Sequence, residues 1–141
     1  MRLGADAAVA PAEAADVEEA DLVVELSGSP EALDDAVDVA GYDARVVVGS
    51  WYGRKRADLD LGGAFHRERV SIVSSQVSTI SPRLRGRWDA ERRMAVAWSR
   101  LRALPVAELV THRVPIEDAE RAYELLDGEP EVALGVLFEY R

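Results

Sequence analysis

Two short stretches place small polar residues where an α/β fold can use them. Ser27-Gly28 ends the apolar run Leu22-Val23-Val24-Glu25-Leu26, and Val48-Gly49-Ser50 ends the run that begins at Ala44. If the two runs are parallel strands, these residues lie at carboxyl ends, where open α/β sheets bind ligands through hydroxyls and main-chain groups. The plain alternative is that a glycine after a strand is only a turn. Other chemistry is thin. His66 and His112 have no paired histidine or cysteine beside them, so both are read as structural. Asp34, Asp35 and Asp38, like Glu117, Asp118 and Glu120, fall on polar helix faces or in first turns, where acids complement the dipole. The chain has no cysteine and no G-x-S-x-G elbow. No catalytic residue and no metal ligand is assigned, and zinc is expected not to be bound by this chain.

Charge narrows the partners. The 141 residues carry a net charge of −9, distributed as −10 over residues 1–50, +7 over 51–113 and −6 over 114–141. The basic middle (Arg54, Lys55, Arg56, Arg67, Arg69, Arg83, Arg85, Arg87, Arg92, Arg93) is interleaved with Trp51, Tyr52 and Trp88, a pattern that could stack nucleic acid. The overall negative charge opposes that at long range, so a solvated face is the reading and no nucleic-acid partner is expected. Lys55 is the only lysine. An acid-rich, lysine-poor chain suits a high-salt cytoplasm, and a GC-rich coding sequence gives the same arginine bias. No apolar run approaches the roughly 18 residues of a membrane span, so the expected setting is cytoplasmic, with no membrane partner.

The elements that must hold these residues follow from pattern. Leu22 to Leu26 reads as a buried strand. Ser29-Pro30 opens a helix whose stripe is Leu33, Ala36, Val37 and Ala40, with Gly41 as its stop. Ala44 to Val48 is a second strand and Val70 to Ser75 a third. Strand, helix and strand within about 30 residues make a βαβ unit, so the sheet is parallel. Farther on, Ala90, Met94, Ala97, Trp98 and Leu101 recur at helical spacing before Pro105. A last helix turns Ala119, Ala122, Tyr123 and Leu126 inward and closes at Gly128, followed by a strand in ALGVLFEY.

Six stretches, RLGADAAV, ADLVVELSGSPEALDDAVDVA, RVVVGSWYG, LDLGGAFHRERVSIVSSQ, GRWDAERR and THRVPIEDAERAYELLDGEP, occur in an order and spacing that resemble the C-terminal half of a medium-chain dehydrogenase/reductase of the zinc-type alcohol and polyol dehydrogenase superfamily. The resemblance implies an α/β fold: an incomplete Rossmann-type parallel sheet over residues 1–76, then a C-terminal helix-strand segment over 77–141 that would pack on a catalytic domain lying outside this chain. It implies NAD or NADP as cofactor. The nicotinamide and its ribose would meet Ser27, Gly28, Val48, Gly49 and Ser50, with Ser74, Ser75 and Gln76 completing the wall. A small-molecule alcohol or polyol would be the substrate of the complete enzyme.

The same resemblance implies that the chain resumes a fold begun elsewhere. No G-x-G-x-x-G occurs, and the residues near Ala7 to Ala10 would be strand 3 of the order 3-2-1-4-5-6, without its neighbours. The partner expected is the N-terminal half, or a homodimer mate at a sheet edge, and the chain alone is expected to be inactive. The alternative is a non-enzymatic module that pairs through its exposed strand edge. Two departures from the family pattern stand out. Tyr42-Asp43-Ala44 replaces a glycine pair, and Gly135 stands where relatives carry a longer side chain that reaches the cofactor.

Overall fold

The computed structural model describes residues 4–17 and 19–140. The chain divides between Gly86 and Arg87 into two compact units, ten residues beyond the boundary drawn at 76/77. Among the described residues no helix is long and apolar enough to cross a membrane.

The first unit is a βαβ arrangement extended by one strand. β1 (Ala20–Glu25), β2 (Ala40–Val48) and β3 (Ser71–Ser74) form a parallel sheet in the order β1-β2-β3. The helix α1 (Pro30–Asp38) joins the first two strands, and the single turn α2 (Ala64–Arg67) precedes the third. α1 starts as its sequence dictates. Ser29 accepts the Ala32 amide at 3.5 Å, and Pro30, with no N–H to lose, takes the first turn.

Leu33 and Ala36 of α1 pack with Ala40, Ala44, Val46 and Val70 to make the core, flanked by Val23, Val48, Tyr52, Leu59, Phe65 and Ile72. Register explains the choice. Val23, Val46 and Ile72 are cross-strand neighbours, as are Val24, Val47 and Val73 one residue on, and successive side chains point to opposite faces. The first row is covered by the helices.

The second row is not covered. Leu22, Val24 and Leu26 are 58%, 52% and 71% exposed, so the strand expected to be buried throughout is buried on one face only. Nor is there a strand near Ala7 to Ala10. Residues 7–10 are irregular and lead into a 3-10 turn, Pro11–Asp16. An alanine-rich segment has little β preference, and the sheet ends at β1 with no neighbour there to bond it. α1 ends at Asp38, so Ala40 and Gly41 open β2 rather than close the helix. A side chain at Gly41, the second residue of β2, would meet Glu19 Cβ at 2.9 Å.

The second unit holds α3 (Ala90–Ala103), β4 (His112–Pro115), α4 (Ala119–Gly128) and β5 (Val136–Glu139). β4 and β5 pair in parallel, His112 opposite Val136, with α4 as their crossover. Asp89 caps α3 by accepting the Arg92 amide at 2.7 Å, and the Arg92 guanidinium lies 4.6 Å from the Trp88 ring centre. α3 buries nothing: Met94, Trp98 and Leu101 are all exposed. In α4 Ala122 is buried, while Tyr123 and Leu126 face outward and Leu125 takes the half-buried place expected of Leu126. Tyr123 still meets Phe138 with the rings tilted at 40° and their centres 6.2 Å apart.

Candidate functional site

The carboxyl ends of β1, β2 and β3 lie side by side, because Glu25 is in register with Val48 and Val48 with Ser74. Ser27-Gly28, Gly49-Ser50 and Ser75-Gln76 therefore leave the sheet along one rim. The links between them are direct. The Gly49 amide donates to the Glu25 carbonyl at 2.9 Å, and the Ser75 amide donates to the Val48 carbonyl at 2.8 Å. Gln76 is turned to its own loop, where Oε1 accepts the Ser78 amide at 2.6 Å.

The organising residue is one that the sequence reading passed over. Glu25 sits at the last position of β1, on the helix-covered face, and is only 4% exposed. A buried carboxylate must be compensated by hydrogen bonds, and this one is. Oε1 accepts from the Ser27 amide at 2.6 Å, the Ser27 hydroxyl at 2.5 Å and the Gly28 amide at 2.9 Å. Oε2 accepts from the Ser50 hydroxyl and, at 2.8 Å, from the Tyr52 hydroxyl, which also lies 3.1 Å from the Ser29 carbonyl. Lys55 closes the cluster, its Nζ donating to the Gly28 carbonyl at 3.0 Å.

The charges respond accordingly. Burial alone would push the Glu25 carboxyl up; donors from Ser27, Ser50, Tyr52 and Gly28 outweigh it and hold the group at about 2. The Tyr52 phenol is raised, first by burial and then by its bond to the Glu25 anion and that anion's charge. Glu31 is lowered, chiefly by the Ser29 hydroxyl that donates to it at 2.5 Å.

What this arrangement can do is specific. Glu25 stays ionised with both oxygens occupied, so it is a fixed anion rather than a proton carrier. The hydroxyls of Ser27 and Ser50 point at it, and the amides of Ser27, Gly28, Gly49 and Ser75 are all engaged within the fold. The main chain of Ser27, Gly49 and Ser50 lies along the same rim. Gly28 is at φ +70°, and a Cβ there would lie 3.2 Å from the Trp51 carbonyl. The two turns thus approach each other closely, with a backbone conformation that favours glycine. Trp51, 88% exposed, stands beside them.

His66 is exposed on α2, and His112 Nδ1 lies 2.9 Å from the Thr111 hydroxyl at the start of β4. Among the described residues no group of three or more His, Cys, Asp or Glu side chains converges as metal ligands do.

Sequence could have pointed to Glu25. A single acid closing an apolar strand, two residues before Ser-Gly, has local donors at positions i+2 and i+3. Its other partners, Ser50 and Tyr52, come from the far side of α1 and β2, beyond the reach of local pattern.

Comparison with known proteins gives a fold. No protein-family model and no curated protein sequence matches the chain. Among solved structures, an alcohol dehydrogenase of Pyrobaculum aerophilum is 21% identical with a TM-score of 0.70, covering 96% of this chain and 36% of that one. A short chain alcohol dehydrogenase of Escherichia coli, complexed with NADH, is 18% identical with a TM-score of 0.69, covering 94% and 38%. The 2R,3R-butanediol dehydrogenase of Bacillus subtilis is 17% identical with a TM-score of 0.66, covering 95% and 36%. Nearly all of this chain therefore has the fold of part of such dehydrogenases, and it spans little more than a third of their length. The fold expected from the six sequence stretches, α/β with a partial Rossmann-like parallel sheet, is the fold found.

Proposed function

We propose that this chain forms part of a cytoplasmic NAD(P)-dependent alcohol or polyol dehydrogenase, in which its rim of strand ends is one wall of the nicotinamide site. The observation that carries the reading is the alignment of Ser27-Gly28, Val48-Gly49-Ser50 and Ser74-Ser75-Gln76 along one end of three parallel strands. That is the side on which open α/β sheets bind ligands, and a structure of the same fold is complexed with NADH.

When bound, the nicotinamide ring would accept hydride from, or return it to, the substrate carbon. This chain's own contribution is positional. The carbonyls of Ser27, Gly49 and Ser50 would accept hydrogen bonds from ligand donors, such as an amide NH2 or a ribose hydroxyl. Proton transfer and zinc belong to residues outside the rim, and residues 77–141 would pack on a catalytic domain. The N-terminal half of such an enzyme, or a second copy at a strand edge, is the partner this reading requires.

Energy transfer to bound NADH tests the reading. Exciting tryptophan in the full chain and titrating NADH and NADPH should give saturable sensitised emission from the nicotinamide. The signal should fall in Trp51→Phe, because Trp51 stands at the rim. A saturable signal that survives Trp51→Phe intact would place the nucleotide elsewhere, and no signal with either nucleotide would leave the chain without the half-site. Stable folding with no nucleotide effect favours a non-enzymatic module instead. The bare row Leu22, Val24 and Val73, which offers apolar surface to a partner, supports that second reading.

A further inference from the structure

We infer that Glu25 is a positioning residue, a carboxylate tie that sets the spacing and orientation of the Ser27-Gly28 and Ser50-Tyr52 turns. Two oxygens divide the work. Oε1 gathers the first turn through two amides and a hydroxyl, and Oε2 gathers the second through two hydroxyls contributed 25 and 27 residues later in the chain. The Glu25 main chain repeats the link, its carbonyl accepting the Gly49 amide. An apolar residue in its place would leave five donors without this acceptor.

The geometry also explains why both turns look as they do. Ser27 and Ser50 are serines because their hydroxyls must reach the carboxylate. Position 28 must remain glycine, since its left-handed backbone directs its amide to Oε1 while leaving room for the Trp51 carbonyl at 3.2 Å. Tyr52 reaches back across the cluster to the carboxylate and to the Ser29 carbonyl at the head of α1. The tie thus fixes the rim to the helix as well as to the neighbouring strand. Its bearing on nucleotide binding rests on the nicotinamide-wall reading, whereas the tie itself does not.

Glu25→Gln is the direct test, because glutamine keeps the shape but presents an NH2 to one of the two turns. Amide exchange is followed by NMR on the full chain. The NH2 faces the Ser50 and Tyr52 hydroxyls, which can accept. The neutral oxygen left to the Ser27 and Gly28 amides holds them less strongly than a carboxylate, so these amides should exchange roughly tenfold faster in the variant. The emission of Trp51, read against a Trp51→Phe control, should shift as its turn is released. The Ser50→Ala/Tyr52→Phe double variant separates positioning from folding. It should move Trp51 emission while the Ser27 and Gly28 amides stay slow, and it serves if Glu25→Gln does not fold. Unchanged exchange and unchanged emission in a folded Glu25→Gln chain would overturn the inference. So would a double variant in which both turns loosen together, since the carboxylate would then not be holding them separately. NADH titration of the same proteins is the independent arm. Wild-type chain that ignores nucleotide overturns the nicotinamide-wall reading and leaves the tie to be judged by exchange and emission.

Discussion

Acid should weaken the first unit through Glu25 in a window that its environment defines. The carboxyl is depressed from 4.5 to about 2 in the folded chain. A depressed folded value means that the stabilisation is complete above the unfolded value and is lost as pH falls from there through the folded one. At about 1.36 kcal/mol per pH unit, the contribution at neutral pH is about 3 kcal/mol, an upper figure since the unit is small. A domain of this kind is held by only about 5–15 kcal/mol in total, so the term is a large share. Urea unfolding at pH 7, 5, 4, 3 and 2, for wild type and Glu25→Gln, reads it out. Any effect of acid common to both proteins cancels, so the difference between the two curves isolates Glu25. At pH 7 the variant should be less stable by about 1–3 kcal/mol, the cost of a buried network with an unsatisfied member. The gap should close between pH 4.5 and 2. Parallel curves across that window would refute the argument, because Glu25 would then titrate as an ordinary surface carboxyl.

Gly135→Ala should destabilise the β4–β5 pair by about 1–3 kcal/mol, seen as faster amide exchange at Thr111 and His112. A Cβ at that position would lie 2.5 Å from the Leu109 carbonyl oxygen, and the Gly135 carbonyl holds both of those amides. Val46→Ala should cost about 2 kcal/mol or more in urea unfolding, and Val24→Ala within about 0.5 kcal/mol, because Val46 is fully buried and Val24 is half exposed. Equal costs would show that the bare sheet face is covered in solution. Gly28→Ala should lower the melting temperature while Asp43→Gly holds or raises it. Both positions are left-handed, at φ +70° and +57°, where a side chain costs about 1–2 kcal/mol.

Much of this fold was legible in the chain because its signals were local. Ser29-Pro30 before a Leu33, Ala36, Val37 stripe describes a helix start without reference to anything distant, and the helix runs from Pro30 as read. The strand end at Val48 was marked by the glycine that follows it, and the third strand, read over Val70 to Ser75, is found at Ser71–Ser74. Burial was less legible. An apolar run such as Leu22 to Leu26 implies a strand, but whether one face or two are covered depends on what packs against it, and here α1 and α2 cover one. The same holds for Met94, Trp98 and Leu101, whose spacing makes a helix but does not supply its cover. At the candidate site the eight residues assigned from sequence lie along one rim. The group that joins their turns, Glu25, was lost among its apolar neighbours because two of its five donors arrive from Ser50 and Tyr52.

Asp43 and Gly135 are each fitted to the local backbone for a physical reason. Within β2, where the register shifts between the Ala40 and Arg45 pairs, Asp43 takes φ +57° and donates its amide to the Glu68 carbonyl at 2.7 Å. A glycine would do so without strain, but aspartate is among the few side chains that visit this region. Asp43 also lies 3.7 Å from Arg69, itself at φ +59°, although that exposed pair adds little. The backbone requirement that a glycine pair would meet is thus kept and met by another residue. Gly135 is the opposite case. Its carbonyl accepts the Thr111 and His112 amides and the Thr111 hydroxyl, and that hydroxyl in turn lies within 3.3 Å of the Leu134 and Gly135 amides. With the Leu109 carbonyl pressed against the space a side chain would need, a longer residue could stand here only if the loop before β5 moved. Loop and glycine fit each other.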